Sequence, residues 1–232
     1  MPAMCGRYVS PRDADIEGVW HIGARHNRYP DYSGMLRFNA APTQLLPIVR
    51  QDPAAGLELL SMRWGLVPSW AKDPGIGAKM INARGETVAE KPAFRAAFKR
   101  RRCLVPMMGF YEWRKTPAGK VPYYIRLLNA ELFGAAGLYE YWPGKDGTES
   151  IESFAIITAE PNEMMASLHG RMPVILAEGD HAAWLDLKNE RTDDLQQLLR
   201  PYPSDEMTAY PVSKRVNSPK NDDSELIEPA TT

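Results

Sequence analysis

The chain has 232 residues, 44% of them hydrophobic and 25% charged, with a formal net charge of −1. These values fit one large globular domain and exclude global disorder and a uniformly basic nucleic-acid coat protein. No apolar run nears the ~18 residues of a membrane span and no basic-then-apolar leader opens the chain, so a soluble, cytoplasmic protein is expected.

Ser10 reads as the N-cap of a first helix with Pro11 in its first turn, and Ile16, Val19 and Trp20 carry helical spacing up to about Gly23. A loop from Asn27 to Gly34 leads to an extended, turn-like Phe38–Thr43, then to strands at Leu45–Val49 and Leu57–Trp64. Glu90–Arg100 has the pattern of a helix, with Phe94, Ala97 and Phe98 on one face. Strands are expected at Arg102–Pro106, Gly109–Lys115, Pro122–Leu128, Glu131–Trp142 and Ser153–Thr158. A helix over Pro161–Leu168 should stop at His169-Gly170, followed by a strand at Val174–Leu176 and short helices at His181–Leu187 and Thr192–Leu199. Many short strands with a few helices and no βα alternation predict an α+β fold. Residues 1–216 form a single domain in this reading, and the polar stretch 217–232, with Pro219 and Pro229, is a loosely ordered tail.

Two cysteines, Cys5 and Cys103, make no disulfide framework, and His21, His26, His169 and His181 lack metal-ligand spacing. No metal or cofactor is expected. Charge is uneven: Ser61–Lys115 holds 12 basic against 4 acidic residues, and Gly137–Arg200 holds 5 against 12. The basic stretch mixes Lys99-Arg100-Arg101-Arg102 with Trp64, Trp70, Phe94, Phe98, Phe110, Tyr111 and Trp113. Cations among aromatics suit a single-strand groove, where charge follows phosphates and rings stack on bases. A solvated helix face beside core aromatics has the same composition. Gly75-Ile76-Gly77 lacks the third glycine of a phosphate loop, and no Gly-x-Ser-x-Gly elbow supports a serine triad.

Four residues could carry chemistry. Met4-Cys5-Gly6-Arg7 reads as a translation start in its own right, and removal of Met4 would leave Cys5 first. An N-terminal cysteine pairs an α-amine of pKa about 7.7–8.0 with a thiol of about 8.5. Such a 1,2-aminothiol captures an aldehyde as an imine and closes it to a thiazolidine. A small buried cysteine is the plain alternative. Glu112, inside Gly109-Phe110-Tyr111-Glu112-Trp113, would gain a raised pKa if buried, or would face water from a strand. His169 is a proton shuttle or a helix cap, and Asn82 holds a ligand or forms a turn.

Seven segments in order resemble the SRAP (SOS response-associated peptidase), or abasic-site processing, family. They are Cys5-Gly6-Arg7-Tyr8, Arg37 to Gln44, Arg63 to Trp70, Ile81 to Thr87, Arg101 to Trp113, His169 to Leu176, and Pro211 to Asn217. The resemblance implies a compact domain around a small, mainly antiparallel β-barrel-like sheet, with a basic groove for single-stranded DNA. It also implies a thiazolidine crosslink between Cys5, once N-terminal, and the ring-opened aldehyde of an abasic site. In the implied roles Asn82 orients amine and sugar, Glu112 manages the amine proton, and His169 exchanges a proton with the sugar ring oxygen. Arg7, Arg84, Trp64 and Trp70 would contact phosphates and wedge or stack bases. The expected partner is single-stranded DNA bearing abasic sites, bound by a monomer with lyase-like activity. Met1-Pro2-Ala3 depart from the family pattern, as do Met107-Met108 and Gly170; an over-extended start accounts for the first. Two other readings share these residues: a thiol-dependent peptidase acting on its own leader, and a non-covalent single-strand binding module.

Overall fold

A computed structural model describes residues 5–22, 24–26, 33–144 and 150–230. The start at Met4 and most of the Asn27–Gly34 loop lie outside these residues. In chain order the first strands are β1 (Tyr8–Ser10), β2 (Ala24–His26), β3 (Arg37–Ala40), β4 (Leu45–Asp52), β5 (Gly56–Trp64) and β6 (Asn82–Arg84). Then come β7 (Arg102–Met107), β8 (Gly109–Thr116), β9 (Gly119–Leu127), β10 (Phe133–Trp142), β11 (Ile151–Ala159), β12 (Met172–Pro173) and β13 (Met207–Pro211). The helices are α1 (Asp13–Trp20), α2 (Arg95–Arg100), α3 (Glu163–Ala166), α4 (His181–Leu185) and α5 (Thr192–Gln197). The fold is α+β.

Strand β11 pairs antiparallel with β10 and parallel with β5, so β4, β5, β11, β10 and β7 close into a five-stranded barrel-like ring. A second, antiparallel sheet runs β13-β9-β8-β1-β3. Alternation along the ring strands sorts their side chains into two cores. Leu46, Ile48, Leu60, Met62, Cys103, Val105, Phe154 and Ile156 meet Tyr8, Phe110 and Ile125 of the second sheet. Their neighbours Val49, Leu59, Leu104, Ala155 and Ile157 meet Ile16, Phe98, Trp184 and Leu195 of the helices. Both faces are covered, which is why these strands read as nearly unbroken apolar runs.

The second sheet decides the site. On β8, Phe110 belongs to the core shared with the ring and Tyr111 to a third core with Val9, Tyr124, Val216 and Leu226. Period-two alternation then sends Glu112 inward with Phe110. Gly109 is required on this strand, because a Cβ there would lie 2.4 Å from the Tyr124 ring.

Several expectations need correction. Ser10 is committed to the β1–β3 ladder, so Arg12 becomes the N-cap of α1 and receives no side-chain cap bond. The helix expected from Glu90 begins only at Arg95, and Pro92 has no amide to donate into an earlier start. Of the basic run only Arg102 turns inward, with Lys99 and Arg100 exposed: the buried Arg102 donates to the carbonyls of Phe98, Trp184, Asp186 and Asn189, among others. Arg101 pairs with Glu140 at 2.7 Å and Arg100 with Glu190 at 3.0 Å. The stretch from Asn217 is no loose tail over residues 217–230. Leu226 is fully buried, Tyr210 donates to the Ile227 carbonyl at 2.8 Å, and the Ala230 amide donates to Pro211 at 2.8 Å.

Candidate active site

Cys5 stands just before β1 with φ of 40°. That left-handed backbone costs a non-glycine residue about 1–2 kcal/mol, a kind of strain that concentrates at functional sites. Its side chain is buried in the core between ring and sheet. Its backbone N–H donates to Glu112 Oε1 at 2.7 Å across 107 residues of sequence. Glu112 is 2% exposed. Burial pushes its carboxyl up to about 7, against the pull of hydrogen bonds from the Cys5 and Trp113 amides. Burial, then the nearby Glu112 charge, hold the Cys5 thiol well above its ordinary range.

His169 arrives from the other side. Asn162 caps α3, accepting from the Met165 amide at 2.9 Å and donating to the Tyr202 carbonyl at 2.7 Å. The His169 amide returns to Met165 O at 2.8 Å, which ends the helix and points the imidazole at the sheet. Its Nδ1 lies 3.7 Å from Glu112 Oε1, an ion-pair distance if the ring is protonated, and 3.3 Å from the Arg171 amide.

Asn82 opens β6 and pairs in register with Ile156 of β11. It lines a cleft of about 410 Å³ with Arg84, Lys91 and Trp70. Arg84 is exposed and Trp70 keeps 60% of its surface, so both can meet a ligand. Trp64 cannot. It is fully buried, donates from Nε1 to the Ile81 carbonyl at 2.9 Å, and packs on Tyr8 and Phe154 with centroids 5.2 and 6.3 Å away. Its expected base-stacking role is overturned: it anchors Ile81, the residue before Asn82. Arg7 is half-buried and already donates to Asn39 Oδ1, Val216 O and Asn217 O at 2.9, 2.8 and 3.2 Å. With Gly6, Trp113, Lys120 and Asn217 it borders a second cleft of about 480 Å³, and Trp113 and His169 border a third of about 320 Å³. A cavity of about 760 Å³ beside Trp20 and His181 includes none of these residues. Among the described residues no group of His, Cys, Asp or Glu is placed to hold a metal, and no helix is long and apolar enough to cross a membrane.

Sequence reasoning missed the supports of this site. Arg171 grips Glu86 with both nitrogens, at 2.6 and 2.9 Å, and the Thr158 carbonyl at 2.6 Å, tying the His169 turn to the β6–β11 edge. Asn39 is buried and gives its amide to the carbonyls of Val216, Ser218 and Asn221. Neither carries a spacing signal, because each joins segments far apart in the chain.

The sequence profile of the SOS response associated peptidase (SRAP) family matches residues 4–219. The chain is 48% identical over 230 residues to the abasic site processing protein YoqW of Bacillus subtilis (strain 168), covering 97% of this chain and 99% of that one. It is 33% identical to the abasic site processing protein HMCES of Xenopus tropicalis, over 90% of this chain and 68% of that protein. Among solved structures, a Bacteroides thetaiotaomicron protein superposes with a TM-score of 0.86 at 28% identity, covering 98% of this chain and 100% of that one.

Proposed function

Because the chain belongs to the SOS response associated peptidase (SRAP) family, we propose that it processes abasic sites in single-stranded DNA and bonds to the lesion through Cys5. The observation that carries this reading is the 2.7 Å contact between the Cys5 nitrogen and a buried carboxylate whose pKa is about 7. Removal of residues 1–4 turns that nitrogen into an α-amine of pKa about 7.7–8.0, so amine and carboxylate exchange a proton near neutral pH. The free amine attacks the aldehyde carbon and water leaves, giving an imine. The thiol then adds to the C=N carbon, its proton passes to nitrogen, and a five-membered thiazolidine closes. No oxidant or reductant is consumed.

The raised thiol pKa fits this order of events. The amine leads, and the thiol, kept protonated by burial and Glu112 until the imine has formed, gives up its proton as it adds to the C=N carbon. His169, whose Nδ1 lies 3.7 Å from Glu112 Oε1, exchanges the proton that opens the sugar ring in this reading. Asn82 orients the open sugar, while Arg84 and Trp70 in the same cleft hold a phosphate and a base.

The test is Cys5→Ala in a chain whose residues 1–4 are removed. It keeps the amine but lacks the sulfur, so borohydride should still trap an imine with abasic DNA while no heat-stable adduct forms. Affinity for intact single strands should not change. A heat-stable adduct in this variant would overturn the thiazolidine.

A further inference from the structure

The nucleophile stands just before β1 and its carboxylate lies on the neighbouring β8, and a third segment, far away in sequence, touches the neighbours of both. Asn217 ends the turn Lys214–Asn217, whose Val216 is buried. Its backbone carbonyl accepts from Arg7 Nη2 at 3.2 Å, and its side-chain Oδ1 accepts from Trp113 Nε1 at 2.8 Å. Arg7 is two residues from Cys5, and Trp113 follows Glu112. The Glu112 carboxylate takes the Cys5 N–H at 2.7 Å. We propose that Asn217 is a positioning residue that closes a ring of contacts through Arg7, Cys5, Glu112 and Trp113, setting the angle between nucleophile and carboxylate.

The ring has a firm base. Asn39 fixes the carbonyl before Asn217 through its Nδ2 at 3.2 Å and fixes Arg7 through its Oδ1 at 2.9 Å. The Asn39 amide itself donates to Asp222 at 2.9 Å. Asn217 therefore sits on a braced backbone while its side chain is exposed at the cleft, where it touches Trp113 but neither Cys5 nor Glu112. An exposed hydrogen bond contributes little to global stability, about 1 kcal/mol or less. Its effect falls on geometry, where small misplacements of reacting groups are costly.

This inference rests on the proposed reaction, but one of its tests does not. In single-turnover crosslinking, Asn217→Ala and Trp113→Phe each remove the same hydrogen bond, and each should slow adduct formation about fivefold, as about 1 kcal/mol in the barrier requires. The double variant should be no slower than either single, the non-additivity of one shared contact. Affinity for intact single-stranded DNA should hold in all three. Additive losses, an unchanged rate, or a fall in affinity matching the fall in rate would overturn the positioning role, the last by making Asn217 a direct DNA contact.

The second test uses the protein without DNA: carboxyl-carbon NMR of Glu112. The groups facing that carboxylate are His169, the Cys5 N–H and thiol, and the Trp113 amide. Loosening the ring weakens the Cys5 N–H bond that favours the charged form, so Asn217→Ala should raise the Glu112 midpoint above the wild-type value. A midpoint unmoved or lowered would refute the ring. If the wild type forms no adduct, the reaction fails and this titration still decides the role of Asn217.

Discussion

Glu112 shows how one buried group ties stability to function. Its carboxyl titrates near 7 in the folded protein and near 4.5 when exposed on unfolding. Between those values the folded chain holds a proton that the unfolded chain has released, so stability from this group falls as pH rises from 4.5 to 7. The full loss is of the order of 3 kcal/mol. Glu112→Gln keeps an acceptor for the Cys5 amide without the charge. It should melt higher than the wild type at pH 8 and close to it at pH 4.5, while forming no adduct efficiently at either; a lower melting temperature at pH 8 would refute the raised pKa. Part of this was legible in the sequence: Phe110 and Glu112 share a parity, and the aromatics beside them suggested burial. The 2.7 Å approach of Cys5 was not, because nothing in a sequence measures contact across 107 residues.

At the scale of elements, the hydrophobic pattern predicted most strands, since the ring strands are covered on both faces and their apolar runs are long. Its failures came where polar side chains or backbone geometry overrode the pattern. Pro92 cut the expected helix short, and Ser10 lost its cap role to a strand ladder. By composition the run Lys99 to Arg102 suited a single-strand groove and a solvated helix face equally, but Arg102 turns inward and satisfies carbonyls at the end of α2 and around α4. Charge counts do not distinguish a cation facing DNA from one that caps the backbone. Salt titrations of single-strand binding make the distinction. Arg84→Ala should flatten the log–log slope by about 0.7, the value for one phosphate contact on a single strand. Arg102→Ala should leave the slope alone and lower stability by at least about 2 kcal/mol, because buried carbonyls lose their donor. An altered slope in Arg102→Ala would return that residue to the DNA track.

For the whole molecule, the C-terminal segment completes the architecture that the ring and second sheet begin. Polar composition made residues 217–232 read as a tail, since only Leu226 and Ile227 mark its apolar contact. That contact is enough: Leu226 is fully buried with Val9, Tyr111 and Tyr124, and the backbone on either side is hydrogen-bonded to Asn39 and Pro211. Leu226→Ala should therefore cost about 3 kcal/mol, as burial of a leucine in a packed core implies, and should lower a single melting transition. No change in melting temperature would show that the segment is not integral to the fold.

In the proposed reaction Cys5, freed of residues 1–4, bonds an abasic site through nitrogen and sulfur together. The most direct measurement is the intact mass of the chain beginning at Cys5, before and after incubation with a single-stranded oligonucleotide carrying one abasic site. The mass should rise by one oligonucleotide less one water, in an adduct stable to heating and absent when the oligonucleotide has no abasic site. A chain beginning at Cys5 that gains no mass, or gains it equally from intact DNA, would contradict that reaction.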